Sequence, residues 1–245
     1  MKIKTFTVGP AATNCYVVYD SSDAVVIDPG FEAERIDAFL KQKKLECRYI
    51  LLTHGHFDHI IDVPGLRELT GAKVVISKPD ADCLISPLRS LSTKVHLEQT
   101  PIEADFLAEE GSSFVAGEME FRYLLTPGHT PGSAVILCGD AMFSGDTLFR
   151  DSCGRTDLPG GSFKQIMESL KRLYELGGDY KVYPGHDQAT TLSRERESNL
   201  HMQEAVFGVD GGREPEFDEP EDDWDDEELD DEGYPLIDPT EDFIP

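Results

Sequence analysis

The chain of 245 residues is short of positive charge: 22 Lys and Arg stand against 48 Asp and Glu, a formal net charge of −26. Such a surface repels phosphate backbones and anionic headgroups, so neither nucleic acid nor a membrane surface is an expected partner. Long apolar runs are missing too. None approaches the roughly 18 residues of a membrane helix, and Met1 to Pro10 has no apolar core of a secretory signal. The five cysteines (Cys15, Cys47, Cys83, Cys138 and Cys153) are odd in number and spread out, with no C-x-x-C pair, which excludes a disulfide framework. A reducing, cytoplasmic setting is the expectation. No repeat of fixed period is visible.

Apolar content of 39% is low for a globular chain. The charge distribution explains why. Residues 213–245 contain 17 acids and one base, Arg213, for a net −16, against −10 for residues 1–212. A like-charged, proline-spotted stretch cannot bury enough apolar surface to fold by itself. We therefore expect a catalytic body over 1–212, closed by the Gly211-Gly212 pair, and a disordered acidic tail over 213–245. Trp224, Tyr234, Leu236, Ile237, Phe243 and Ile244 give the tail's end a means of docking on the body or on a partner.

Within the body, strands are expected at Ile3–Val8, Asn14–Tyr19, Ala24–Ile27, Arg48–Leu52, Lys73–Ile76, Met119–Leu125, Ser133–Leu137, Ala141–Ser144 and Lys181–Tyr183. Helices are expected at Glu34–Leu45, within Asp62–Leu69, and after the capping box Ser162-x-x-Gln165. There Phe163, Ile166, Met167, Leu170, Leu173 and Tyr174 make an apolar stripe that stops at Gly177-Gly178. A last helix is expected over Ser193–Met202, and residues 78–112 read only as short helices and loops. Strands and helices grouped in each half point to packed sheets covered by helices, an α+β arrangement.

The chemistry concentrates after the fourth strand. His54-Gly55-His56-Phe57-Asp58-His59 puts three imidazoles and a carboxylate within six residues, ligand types that suit zinc, iron or manganese. Three later turns follow the same plan, each placing one donor in a glycine-bearing turn at a strand end: Gly128-His129, Gly145-Asp146 and Gly185-His186. Any one of these alone is better read as a structural turn. Together with the His54–His59 segment they hold five of the seven histidines, leaving only His96 and His201 outside.

Thr53-His54-x-His56-x-Asp58-His59, followed in order by a lone His, a lone Asp and a final His, resembles the metallo-β-lactamase superfamily over about residues 3–205. The resemblance implies an αββα four-layer sandwich with metals at one edge of the sheets. It implies that His54, His56 and His129 hold a first divalent ion and Asp58, His59 and His186 a second, with Asp146 between them. Zinc is the foremost candidate, and iron or manganese the alternatives. Cys153-Gly154-Arg155-Thr156-Asp157-Leu158-Pro159-Gly160-Gly161 resembles a stretch of glyoxalase II-like hydrolases and of persulfide dioxygenases, its Gly154–Asp157 part suiting the dioxygenases and its Leu158–Gly161 part the hydrolases, and Thr191–Asn199 also resembles this group. By that resemblance Arg155 binds a substrate carboxylate, and an ion pair with Asp157 or Asp151 is its alternative role.

The implied activity is hydrolysis of a small-molecule thioester by a metal-bridging hydroxide, with Asp58 orienting the hydroxide as well as binding metal. The acidic tail stands where glyoxalase II has a glutathione-gripping helical domain, which favours a shorter and less specific thioesterase. The alternatives are an iron persulfide dioxygenase using His54, His129 and Asp146, a lactonase or other ester hydrolase, and a non-catalytic scaffold whose acidic tail recruits basic partners.

Overall fold

A computed structural model describes residues 1–208. The expected boundary at 212 and the acidic segment 213–245 lie outside the described residues.

The first half builds one sheet. Lys2–Val8 (β1) and Thr13–Tyr19 (β2) pair antiparallel, and Asp23–Ile27 (β3) adds antiparallel to β2. The chain then crosses over through Ala33–Lys43 (α1) to Glu46–Leu51 (β4), which is parallel to β3. Phe57–Ile60 (α2) and Val63–Thr70 (α3) lead to Lys73–Ser77 (β5), and Phe106–Ala108 (β6) closes the sheet, again parallel. Its order is β1-β2-β3-β4-β5-β6.

The second half runs Ser113–Ala116 (β7), Met119–Leu125 (β8), Ala134–Cys138 (β9), Ala141–Gly145 (β10), Leu148–Phe149 (β11), Ser152–Cys153 (β12), Phe163–Glu175 (α4), Lys181–Pro184 (β13), Thr190–Thr191 (β14), Leu192–Ser198 (α5) and Leu200–Phe207 (α6). Its sheet has the order β14-β13-β10-β9-β8-β7, with β10 and β13 parallel, and β11 and β12 form a separate small hairpin.

Strand alternation makes the layers. In β2, Cys15 and Val17 pack with Ile36 and Leu40 of α1 and Leu66 of α3, whereas Tyr16 and Val18 face the other sheet. In the second sheet Ala134, Ile136 and Phe143 face the first sheet, while Val135 and Met142 pack with Leu170 and Leu173 of α4 and Met202 of α6. The order is therefore helices, sheet, sheet, helices, the expected αββα sandwich. Between the sheets lie the fully buried rings of Phe121, Tyr123 and Phe143. Burying an apolar side chain of this size contributes about 1.5–3 kcal/mol.

Most expected elements are present. α1 stops at Lys43 because Lys44 turns left-handed, at φ 58°. Ser162 accepts a hydrogen bond from the Gln165 amide at the start of α4. The single helix expected over Ser193–Met202 is instead two. Asn199 takes an extended conformation and its side chain caps α6 by accepting from the Met202 amide, so the chain bends there. Residues 78–112 hold two short 3-10 segments and β6.

β3, β4 and β5 are parallel neighbours, so their carboxyl ends share one edge of the sandwich. In α/β sheets such an edge is where ligands sit. Among the described residues no helix is long and apolar enough to cross a membrane.

Candidate metal centre

β4 ends at Leu51, and the chain passes through Thr53 into His54-Gly55-His56 before α2 turns once. His54 and His56 are thus loop residues, and Asp58 and His59 ride on the helical turn. His129 follows β8, Asp146 follows β10 and His186 follows β13. All are buried except His186, whose side chain is 24% exposed and marks the open side.

Two glycines let this edge close up. A Cβ on Gly30 would lie 1.5 Å from the Asp58 carbonyl oxygen, so only glycine lets α2 approach the β3 turn. A Cβ on Gly185 would lie 2.1 Å from Asp146 Oδ1 and 2.8 Å from His59 Cε1, inside the donor cluster itself.

The seven donors come together in overlapping groups. Potential ligand atoms lie within 4.8 Å of one another in each of three sets: His54, His56 and His129; His54, His59 and Asp146; and Asp58, His59 and His186. Asp146 lies between the outer sets. Its Oδ1 is 3.5 Å from His59 Nε2, and its Oδ2 is 3.5 Å from both His129 Nε2 and His186 Nε2. Asp58 Oδ2 is 3.2 Å from His186 Nε2 and 3.4 Å from His59 Nε2. Donors bound to one tetrahedral ion at about 2.0–2.1 Å are necessarily roughly 3.3–3.4 Å apart, so these separations fit ligands sharing an ion.

Hydrogen bonds on the far side of three rings set their tautomers. Thr53 Oγ1 donates to Asp28 Oδ2 at 2.7 Å, which leaves it free to accept from His54 Nδ1 at 3.1 Å. Asp28 Oδ2 also accepts from His59 Nδ1 at 3.0 Å. The Arg155 carbonyl accepts from His129 Nδ1 at 2.8 Å. Each ring then turns an Nε2 lone pair into the cluster, as metal ligation requires. Buried His54 Nε2, His56 Nε2, His59 Nε2 and Asp146 Oδ1 make no hydrogen bond to any described residue. His56 Nδ1 faces His129 Nε2 at 2.8 Å. Two lone pairs repel at that range, and a proton or a cation between them removes the repulsion. The donor set therefore fits a pair of divalent ions.

The electrostatics agree. Burial, then the surrounding imidazoles, holds the pKa of His54 and of His56 well below the usual histidine value, so both rings are neutral donors. Burial also works against charge on His59, but Asp58, Asp28 and Asp146 outweigh it and push its pKa up to about 10, so without a metal its Nε2 carries a proton that a bound ion would displace. Burial opposes ionisation of Asp58 too. His59, His186 and the Thr13 hydroxyl, which donates to Asp58 Oδ2 at 2.8 Å, hold it below the usual carboxylate range.

Sequence reasoning missed several supporting residues. Asp28 was visible only as part of an Asp-Pro-Gly turn, although it shares the signal of the others, an acid beside glycine at a strand end. Asp80 is buried in the segment that stayed ambiguous. It accepts from the Gly55 and Gly132 amides and the Thr130 hydroxyl, tying the first histidine loop to the turn that carries His129. Burial raises its pKa despite these bonds. The Arg155 side chain makes the ion pair weighed as its alternative, donating to Asp157 from Nε at 2.6 Å and Nη2 at 2.5 Å. Cys153 is half-buried against the core beside α4 and α6, where burial pushes its thiol up to about 11.

A sequence profile of the metallo-beta-lactamase superfamily matches residues 8–186. The chain belongs to the metallo-beta-lactamase superfamily. Within it, the chain is 38% identical to a protein of Aquifex aeolicus (85% of this chain, 100% of that one). It is 34% identical to a probable metallo-hydrolase of Bacillus subtilis (81% and 96%) and 30% identical to the hydroxyacylglutathione hydrolase GloC of Haemophilus influenzae (81% and 97%). Among solved structures it resembles the B3 metallo-beta-lactamase BLEG-1 (TM-score 0.78, 35% identity, 82% of this chain and 99% of that one). It also resembles a protein crystallised in a di-iron-bound form (0.72, 37%, 80% and 98%) and ETHE1 from Myxococcus xanthus (0.67, 32%, 82% and 84%).

Proposed function

We propose that the chain is a dinuclear metal-dependent hydrolase that cleaves small-molecule thioesters. The observation that carries this reading is the donor arrangement: two three-residue sets with Asp146 between them and buried lone pairs aimed inward. His54, His56 and His129 would hold one ion, Asp58, His59 and His186 the other, and Asp146 both. Two divalent ions bound there would supply an ionised water at neutral pH and an electrophile for a carbonyl oxygen. Zinc suits the imidazole–carboxylate set and tolerates a departing thiolate. Iron is the main alternative, given the relative solved with two irons.

The chain's own residues do the positioning. Thr13 fixes the Asp58 carboxylate, which stays ionised and can accept a hydrogen bond from the attacking water. The ring of Phe149 stands edge-on to His186 with centroids 6.2 Å apart, an apolar flank on the open side. Arg155 would take a substrate carboxylate in exchange for Asp157, since both offer the same two-oxygen geometry. No side-chain nucleophile is needed, and burial keeps the Cys153 thiol protonated.

Two things support thioesters over other acyl compounds: the Cys153–Gly161 run and the likeness to the Haemophilus hydroxyacylglutathione hydrolase. The test is metal content as purified, together with a hydrolysis panel led by S-D-lactoylglutathione and an oxygen-uptake assay with glutathione persulfide. The reading predicts two metals per chain, thioester cleavage and no oxygen uptake. One iron with oxygen uptake, or lactone cleavage without thioester cleavage, would contradict it.

A further inference from the structure

The Thr191–Asn199 run has no role in the chemistry above, yet it contains two polar side chains with no exposed surface. Glu195 and Asn199 are both 0% exposed. Both reach from α5 to the β11–β12 hairpin. Glu195 accepts from the Asp151 amide at 2.7 Å and the Thr190 hydroxyl at 2.6 Å. Asn199 Nδ2 donates to the Ser152 carbonyl at 3.0 Å, the Phe149 carbonyl at 3.3 Å and Glu195 Oε2 at 3.1 Å. Arg194 adds an ion pair to Asp151 at 2.8 Å.

What they hold is a strained turn. Asp151 sits at φ 62°, left-handed for a residue with a side chain. The hairpin joins two parts of the donor cluster. It begins two residues after Asp146 and ends one residue before Gly154, where a Cβ would lie 1.8 Å from the Asp146 carbonyl oxygen and 3.2 Å from His129 Cβ. The next residue, Arg155, supplies the carbonyl that fixes His129 Nδ1.

We infer that Glu195 and Asn199 are positioning residues for the metal centre: by pinning the β11–β12 hairpin they set Asp146 and the Arg155 carbonyl, and through them His129. The inference rests on the metal-site reading above and is independent of the substrate. Asn199 also explains its own helix break, because leaving the helix lets one amide both cap α6 and grip the hairpin.

The test is Co²⁺ titration of the chelated full chain, followed by visible absorption and calorimetry. Asn199→Ser keeps a side chain that caps helices well but cannot span to both carbonyls. Glu195→Gln is the second variant. Wild type should take up two ions. Folded Asn199→Ser should lose roughly 10–100-fold in affinity at the set containing His129 and Asp146, with a changed cobalt spectrum. A merely structural role would lower the melting temperature and leave the spectrum alone.

Wild-type binding with both folded variants unchanged overturns the positioning role by itself. A wild-type chain that binds no cobalt overturns the site reading as well. Hydrogen exchange on the wild type covers the case of variants that do not fold. The Asp151 amide should be as protected without metal as with it, because α5 holds the turn. Exchange at the solvent rate in the metal-free chain would overturn the inference.

Discussion

The two halves of the sandwich contribute to the same edge in different ways. The first sheet delivers its four donors, His54, His56, Asp58 and His59, from one six-residue stretch, and steadies them with the side chains of Asp28, Thr53 and Thr13. The second sheet delivers His129, Asp146 and His186 one at a time from three strand ends, and steadies His129 with a backbone carbonyl. A compact motif is held by local side chains. A dispersed one depends on loop conformation, and so on whatever holds the loop.

That contrast can be broken at the proposed ligands first. Replacing His56 with alanine removes a donor directly, and turnover should fall to background, beyond the roughly 10–100-fold loss that changing a supporting residue costs. Steady-state thioesterase kinetics with circular dichroism to confirm folding will check it. Chelation should give the same loss, and turnover should return on adding zinc or iron. Activity that survives metal removal would refute the metal mechanism in both halves. On the second side, Gly185→Ala should act like loss of a ligand, because its Cβ would press on Asp146 and His59. Metal content per folded chain is the readout.

The supporting residues give the next tier. Asp28→Asn weakens the acceptor behind His59 while keeping its shape. It should cost roughly 10–100-fold in metal affinity, read by competition with a chromogenic chelator, directly through His59 and, by way of Thr53, through His54. Smaller still, Arg155→Ala should raise KM for a carboxylate-bearing thioester and leave kcat nearly unchanged, because its guanidinium is exposed while its carbonyl stays in place. Away from the edge, Leu170→Ala opens a cavity in the fully buried packing of α4. It should cost about 2–5 kcal/mol of stability in denaturant unfolding, with metal stoichiometry unchanged.

The same contrast governs how much was legible from sequence. Four donors in six residues cannot be mistaken for a turn, whereas His129, Asp146 and His186 gained meaning only from their common setting of glycine beside a strand end. Strands and helices with clean alternation, such as β8 and α4, could be read directly. β6 could not, since Phe106-Leu107-Ala108 is too short to show a period. Asp28 and Asp80 were hidden because their roles lie in contacts with residues about 25–50 positions away. The bend at Asn199 was hidden because no glycine or proline marks it, and the reason for it, the hairpin carbonyls, is 47 and 50 positions away.

The most direct measurement is anomalous X-ray diffraction from crystals of the full chain grown without added chelator, collected at the zinc and iron edges. The account predicts two anomalous peaks at the strand-end edge, one bounded by His54, His56 and His129, the other by Asp58, His59 and His186, with Asp146 touching both. A single peak, or metal bound anywhere other than among these seven side chains, would contradict it.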